Sequence, residues 1–148
     1  MMLYPTDGGP GPWDAIRGIA ANFANSGGSD AGRHSKVLVV DDEPAIVELL
    51  ALLFEDEGFE VLRAYDGEQG LRLAKTGHPD LVISDVSMPC LTGLDLLHGL
   101  RANGTRDMPV ILMSAVVREV PADWCIFVPK PFDLDRILAL AKAQLAVR

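Results

Sequence analysis

From Lys36 onward the apolar positions come in short blocks, and the spacing within each block names an element. "KVLVV" is a β-branched run without a polar face, which predicts a strand buried on both sides. Pro44 suits a first helical turn, and Ile46, Leu49, Leu50, Leu53 and Phe54 then recur at helical spacing until Gly58. "FEVLRAY" predicts a second strand. Asp66 followed by Gln69 resembles a capping box, opening a short helix through about Thr76. "DLVISD" predicts a third strand, "GLDLLHGLRANG" a helix, "PVILMS" a fourth strand and "CIFVPK" a fifth. Asp133 caps a last helix with Leu134, Ile137, Leu138, Ala141 and Leu145 along one stripe. Strands alternating with helices in this way predict an α/β fold, an open parallel sheet wound on both faces.

Residues 1–35 follow a different rule. They are rich in Gly, Pro, Ser and Asn, as in "DGGPGP" and "NSGGSDAG", which predicts an N-terminal tail. Within it, residues 13–24 hold Trp13, Ile16, Ala20 and Phe23 at the spacing of one short helix. The division expected is therefore a tail over 1–35 and one domain over 36–148.

Composition narrows the functional classes. Apolar residues make up 49 % of the 148, enough for a core. The formal net charge is −8. Residues 1–35 carry three acids against two arginines, so −7 of that charge belongs to residues 36–148. A domain this acidic repels nucleic acid and anionic membrane, and attracts cations or a basic partner. No apolar run approaches a membrane span, and the N-terminus lacks a signal-peptide pattern. Cys90 and Cys125 lack metal-type spacing and read as reduced thiols of a cytoplasmic protein. His34, His78 and His98 are scattered without ligand spacing.

The chemistry gathers where the strands end. "VLVVDDEP" runs a buried strand straight into three acids. In open parallel sheets, ligands bind outside the carboxyl ends of the strands. That rule brings Asp41, Asp42, Asp85, Ser114 and Lys130 to one edge. Three carboxylates suggest a hard divalent cation, which would relieve their repulsion. One acid could instead cap the helix at Pro44, but capping leaves the others unexplained. A cation site alone has no use for the ammonium of Lys130. A site that also receives a phosphoryl group does, and a carboxylate beside the cation can then act as nucleophile.

The four motifs "VLVVDDEP", "DLVISDVSMPCLTG", "PVILMSA" and "FVPKPFDLD" stand in the order and near the spacing of one family. Residues 36–148 resemble the receiver domain of two-component response regulators. The resemblance implies a flavodoxin-like, chemotaxis-regulator-like sheet of order 2-1-3-4-5. It implies that Asp85 is the phosphoacceptor, and that Asp42, Asp85 and the backbone carbonyl of Ser87 hold Mg2+ (or Mn2+), with Asp41 acting through a water. Ser114 and Lys130 match the groups that contact the phosphoryl group, and Ser114 with Phe127 matches a switch pair. The Lys130–Pro131 bond matches one that is cis in the family. Met88, Pro89 and Gly93 match the loop after the acceptor.

The sequence also departs from the pattern. Only fifteen residues separate Ser114 from Lys130, which predicts a shortened or absent fourth helix over about 115–124. Cys90 replaces a common glycine, Thr92 a common acid, and Pro129 directly before the lysine is unusual. Trp124 is expected to pack at the start of the fifth strand. The expected function is that of a phosphorelay signalling module, which catalyses its own phosphorylation and dephosphorylation. Its partners would be a histidine kinase or phosphotransfer protein and a downstream protein, and a homodimer is compatible with the reading. No output domain is expected in this chain. Alternatives are a receiver fragment of a hybrid histidine kinase, a phosphorylation-independent scaffold, and a small-molecule phosphatase. The last would want an acid two residues past the nucleophile, where Ser87 stands.

Overall fold

A computed structural model describes residues 35–102, 104, 107–115 and 125–146. The tail expected over 1–35, save Ser35, its helix at 13–24, the shortened helix and Trp124 lie outside the described residues. The elements are β1 (Lys36–Val40), α1 (Pro44–Asp56), β2 (Glu60–Ala64), α2 (Gly67–Gly77), β3 (Leu81–Asp85), α3 (Gly93–Ala102), β4 (Val110–Ser114), β5 (Ile126–Pro129) and α4 (Leu134–Ala146). All strand pairs are parallel, in the order β2-β1-β3-β4-β5.

Strand alternation sorts the core into two layers, because successive side chains point to opposite faces. Val37, Val39, Leu81, Ile83, Ile111 and Met113 meet α1 and α4. Leu38, Val40, Val82, Val110 and Leu112 meet α2 and α3. Both faces are covered, so the runs 37–40 of β1, 81–83 of β3 and 110–113 of β4 can be apolar on both sides. Truncating one of the buried leucines, isoleucines or Met113 among these to alanine costs about 2–5 kcal/mol in comparable cores.

The helices match their sequence signals with small shifts. The buried residues of α1 include Val47 and Ala51, whereas Ile46 and Leu49 are half-buried and Leu52 is 50 % exposed. The stripe is therefore rotated slightly from the spacing of its largest side chains. α2 runs one residue further than expected and stops where His78 turns left-handed (φ 50°). α3 ends at Ala102 rather than Gly104. Among the described residues, no helix is long and apolar enough to cross a membrane.

Candidate phosphorylation site

The site is built where β1, β3, β4 and β5 end together. The register pairs Val40 with Ser84, Asp85 with Met113, and Ser114 with Pro129. Asp41 follows β1, Asp85 closes β3, Ser114 closes β4 and Lys130 follows β5. Lys130 is drawn to Ser114 by the backbone, its N–H donating to the Ser114 carbonyl at 2.9 Å.

Asp41, Ser114 and Asp85 are buried, whereas Asp42 is exposed at the rim. One carboxylate oxygen from each of Asp41, Asp42 and Asp85 lies within 4.8 Å of the others. The Lys130 ammonium stands 3.2 Å from Asp85 Oδ1 and 3.6 Å from Asp41 Oδ2. Asp41 Oδ1 accepts the Glu43 amide at 2.9 Å, so this acid does steady the entry to α1. The N-cap residue itself is Glu43, which makes no side-chain cap. Asp41 Oδ2 is buried without a hydrogen-bond partner.

Electrostatics show a cluster short of positive charge. Burial pushes the Asp41 carboxyl up to about 6, with Asp85 and Asp42 adding repulsion, against the pull of the Glu43 amide and Lys130. Burial also raises Asp85, although Lys130 and the Ser87 amide draw it down. For Lys130 burial opposes the charge, but Asp41 and Asp85 outweigh it and hold the ammonium above its ordinary value. One lysine thus serves two buried acids, and a third acid waits at the rim. An orphaned carboxylate oxygen within this oxygen-only donor set suits a hard divalent cation.

The loop after Asp85 is tightly fitted. The Val86 amide donates to Met113 at 2.9 Å and its carbonyl accepts from Gly93 at 2.9 Å. A Cβ on Gly93 would strike the Asp85 carbonyl and lie 2.8 Å from Val86 Cα, so only glycine lets α3 start this close to Asp85. Met88 is buried, and Ser87 and Pro89 are exposed. Phe127 sits half-buried opposite Leu112 and packs against the α2–α3 side of the core. The Lys130–Pro131 bond is cis. Neither Cys90 nor Cys125 forms a disulfide.

Asp41, Asp42, Asp85, Ser114 and Lys130, expected on one edge, are thus brought to one edge. Gly67, in the first turn of α2, escaped the sequence reading altogether. It lies close against Leu91, far along the chain, and no local signal announces that contact.

Comparison with known proteins agrees with this architecture. The family model for the response regulator receiver domain matches residues 37–142. The chain is 33 % identical over 120 residues to the probable transcriptional regulatory protein TcrX of Mycobacterium tuberculosis, covering 77 % of this chain and 51 % of that protein. It is 39 % identical over 115 residues to the transcriptional regulatory protein KdpE of the same organism, covering 74 % and 50 %. The chain spans about half the length of these curated relatives. Among solved structures, it is similar to the receiver domain of the Francisella response regulator 1452, with a TM-score of 0.70, 29 % identity, and coverage of 76 % of this chain and 98 % of that one. It is similar also to the receiver domain of the hybrid histidine kinase CckA, with a TM-score of 0.65, 36 % identity, and coverage of 75 % and 99 %. With its sheet order, its strand-end acids and a family match over most of its length, the chain belongs to the response regulator receiver domain family.

Proposed function

We propose that this chain accepts a phosphoryl group on Asp85 from a partner's phosphohistidine and so acts as a phosphorelay signalling module. The observation that carries the reading is the single ammonium of Lys130 held between two buried carboxylates, Asp41 and Asp85. Such a pairing is costly to bury as a structural element alone, and it is suited to a group whose charge changes.

In this reading an Asp85 oxygen attacks phosphorus, the P–N bond to the donor imidazole breaks, and the imidazole leaves. Asp42, Asp85 and the Ser87 carbonyl would hold Mg2+ or Mn2+, with Asp41 acting through a water. When bound, the ion neutralises charge on the phosphoryl oxygens. Lys130 stands where its ammonium can pair with those same oxygens. Ser114, buried at the end of β4, supplies a hydroxyl to the phosphoryl group. The transfer replaces the single negative charge of the Asp85 carboxylate with the roughly −2 of an acyl phosphate, carried on three projecting oxygens. That charge draws Ser114 inward, and Phe127 changes its packing against the core, shifting the population of two arrangements of the face near β5. Water attacking the phosphorus later breaks its bond to the Asp85 oxygen, releasing inorganic phosphate and returning the free carboxylate.

The test is direct. The protein is incubated with Mg2+ and a small acyl phosphate, and its intact mass is compared with that of Asp85→Asn. One added phosphoryl group, removed by hydroxylamine and absent from the variant, is the expected result. An unmodified wild-type protein across a full Mg2+ titration would instead favour a phosphorylation-independent scaffold.

A further inference from the structure

The loop over residues 86–92 is pinned at its start and middle. Val86 is bonded to β4 and to Gly93, the Met88 amide donates to the Val86 carbonyl at 3.2 Å, and the Met88 side chain is buried. Its far end rests on α2. A Cβ added to Gly67 would strike the Leu91 carbonyl oxygen and lie 2.7 Å from Leu91 Cδ2 and 2.9 Å from Leu91 Cβ. A side-chain tip can rotate away, but a carbonyl moves only with its peptide. The α2 side of this contact cannot easily yield. Asp66 accepts the Gln69 amide at 2.7 Å, and the Gln69 side chain accepts the Tyr65 amide at 3.0 Å, which ties the first turn at both ends.

We propose that Gly67 is a positioning residue for the phosphorylation site: its missing side chain seats the Leu91 peptide on α2, and so sets the path of the loop that carries Ser87. This rests on the receiver reading given above. The Leu91 amide donates to the Pro89 carbonyl at 2.8 Å, so a displaced Leu91 carries Pro89 with it and pulls on Met88, whose amide closes the turn over Ser87 onto Val86. Gly99 provides the contrast. The three atoms nearest a Cβ there all belong to the Leu71 side chain, with Cδ1 at 3.0 Å, the flexible end of a residue on the same α2–α3 seam.

The full chain is compared as wild type, Gly67→Ala and Gly99→Ala. Thermal unfolding confirms that each is folded. Calorimetric titration with Mg2+ alone gives its affinity, and phosphorylation by a small acyl phosphate across a Mg2+ series gives the half-saturating concentration. Gly67→Ala is expected to weaken Mg2+ binding by about fivefold or more and to raise the half-saturating concentration in step. Gly99→Ala is expected to leave both within about twofold, whatever its stability. Alanine is the better helix former, so a loss at Gly67 does not come from α2 itself. Should Gly67→Ala fail to fold, Leu91→Gly loosens the same seat from the loop side and is expected to weaken Mg2+ in the same sense. A folded Gly67→Ala with wild-type Mg2+ response, or an unchanged Leu91→Gly, overturns the role of Gly67. A wild-type protein that binds no Mg2+ overturns the cation reading of the site itself, and that result is distinct because it appears before any variant is compared.

Discussion

Asp41 and Asp42 are chemically identical neighbours with opposite circumstances. Asp41 is fully buried behind Lys130, and Asp42 faces solvent. The difference sets a pH dependence. The folded-state value for Asp41, about 6, stands above its ordinary 3.8, so the folded chain binds this proton more tightly than the unfolded chain does. Metal-free stability is therefore expected to fall as pH rises from about 4 to about 6, and then to level off. The Asp41→Asn variant should lose Asp41's share of that slope, keep the share due to Asp85, and gain on the order of 2 kcal/mol over wild type at pH 8 in EDTA. Denaturant unfolding of both proteins at a series of pH values checks this. The same variant should bind Mg2+ more weakly, because the carboxylate it removes is one of the three whose oxygens lie close enough together to hold a cation. The pair "DD" was visible in the sequence. Which of the two would be buried against the lysine depended on how the ends of β1, β3, β4 and β5 came together.

At the scale of elements, most boundaries were legible because they are written in local chemistry. Pro44 opens α1, Gly58 turns the chain after it with φ at 91°, and the Asp133 carboxylate accepts the Asp135 amide at 3.0 Å at the start of α4. Asp66 does the same for α2 through Gln69. Replacing Asp66 with alanine leaves that amide without its cap and should cost about 1 kcal/mol of stability, seen as a lower urea midpoint with an unchanged slope. The end of α2 was less legible. It falls at His78, a residue that reaches the left-handed region less readily than glycine does. The close approach of Gly67 to Leu91 was not legible, since the two residues are neighbours only after α2 and the β3–α3 loop have docked.

At the scale of the whole molecule, the two ends of the described domain are joined across the α1–α4 layer. Lys142 Nζ lies 2.6 Å from Glu57 Oε2, and the Glu57 side chain is 1 % exposed, with its other oxygen lacking a hydrogen bond. Nothing in the sequence pairs a residue at the end of the first helix with one 85 positions later. Lys142→Met removes the counter-ion from a buried carboxylate and should cost about 3 kcal/mol. The double variant Glu57→Leu/Lys142→Met should recover most of that loss, because an apolar pair needs no desolvation of charge. Chemical denaturation of the two single variants and the double variant measures the coupling.

The amino-acid sequence alone determined the alternation of strands and helices, the helix starts, and the chemical types collected at the strand ends. These follow from local periodicity, capping and turn chemistry, which act over a few residues. Tertiary structure alone decided that one ammonium would serve two buried acids, that Asp41 would keep an orphaned oxygen, and that Leu91 would rest where Gly67 has no side chain. Those outcomes depend on desolvation and on contacts shorter than about 4 Å between distant parts of the chain. Such contacts exist only once the sheet has set its register and the helices have closed over it.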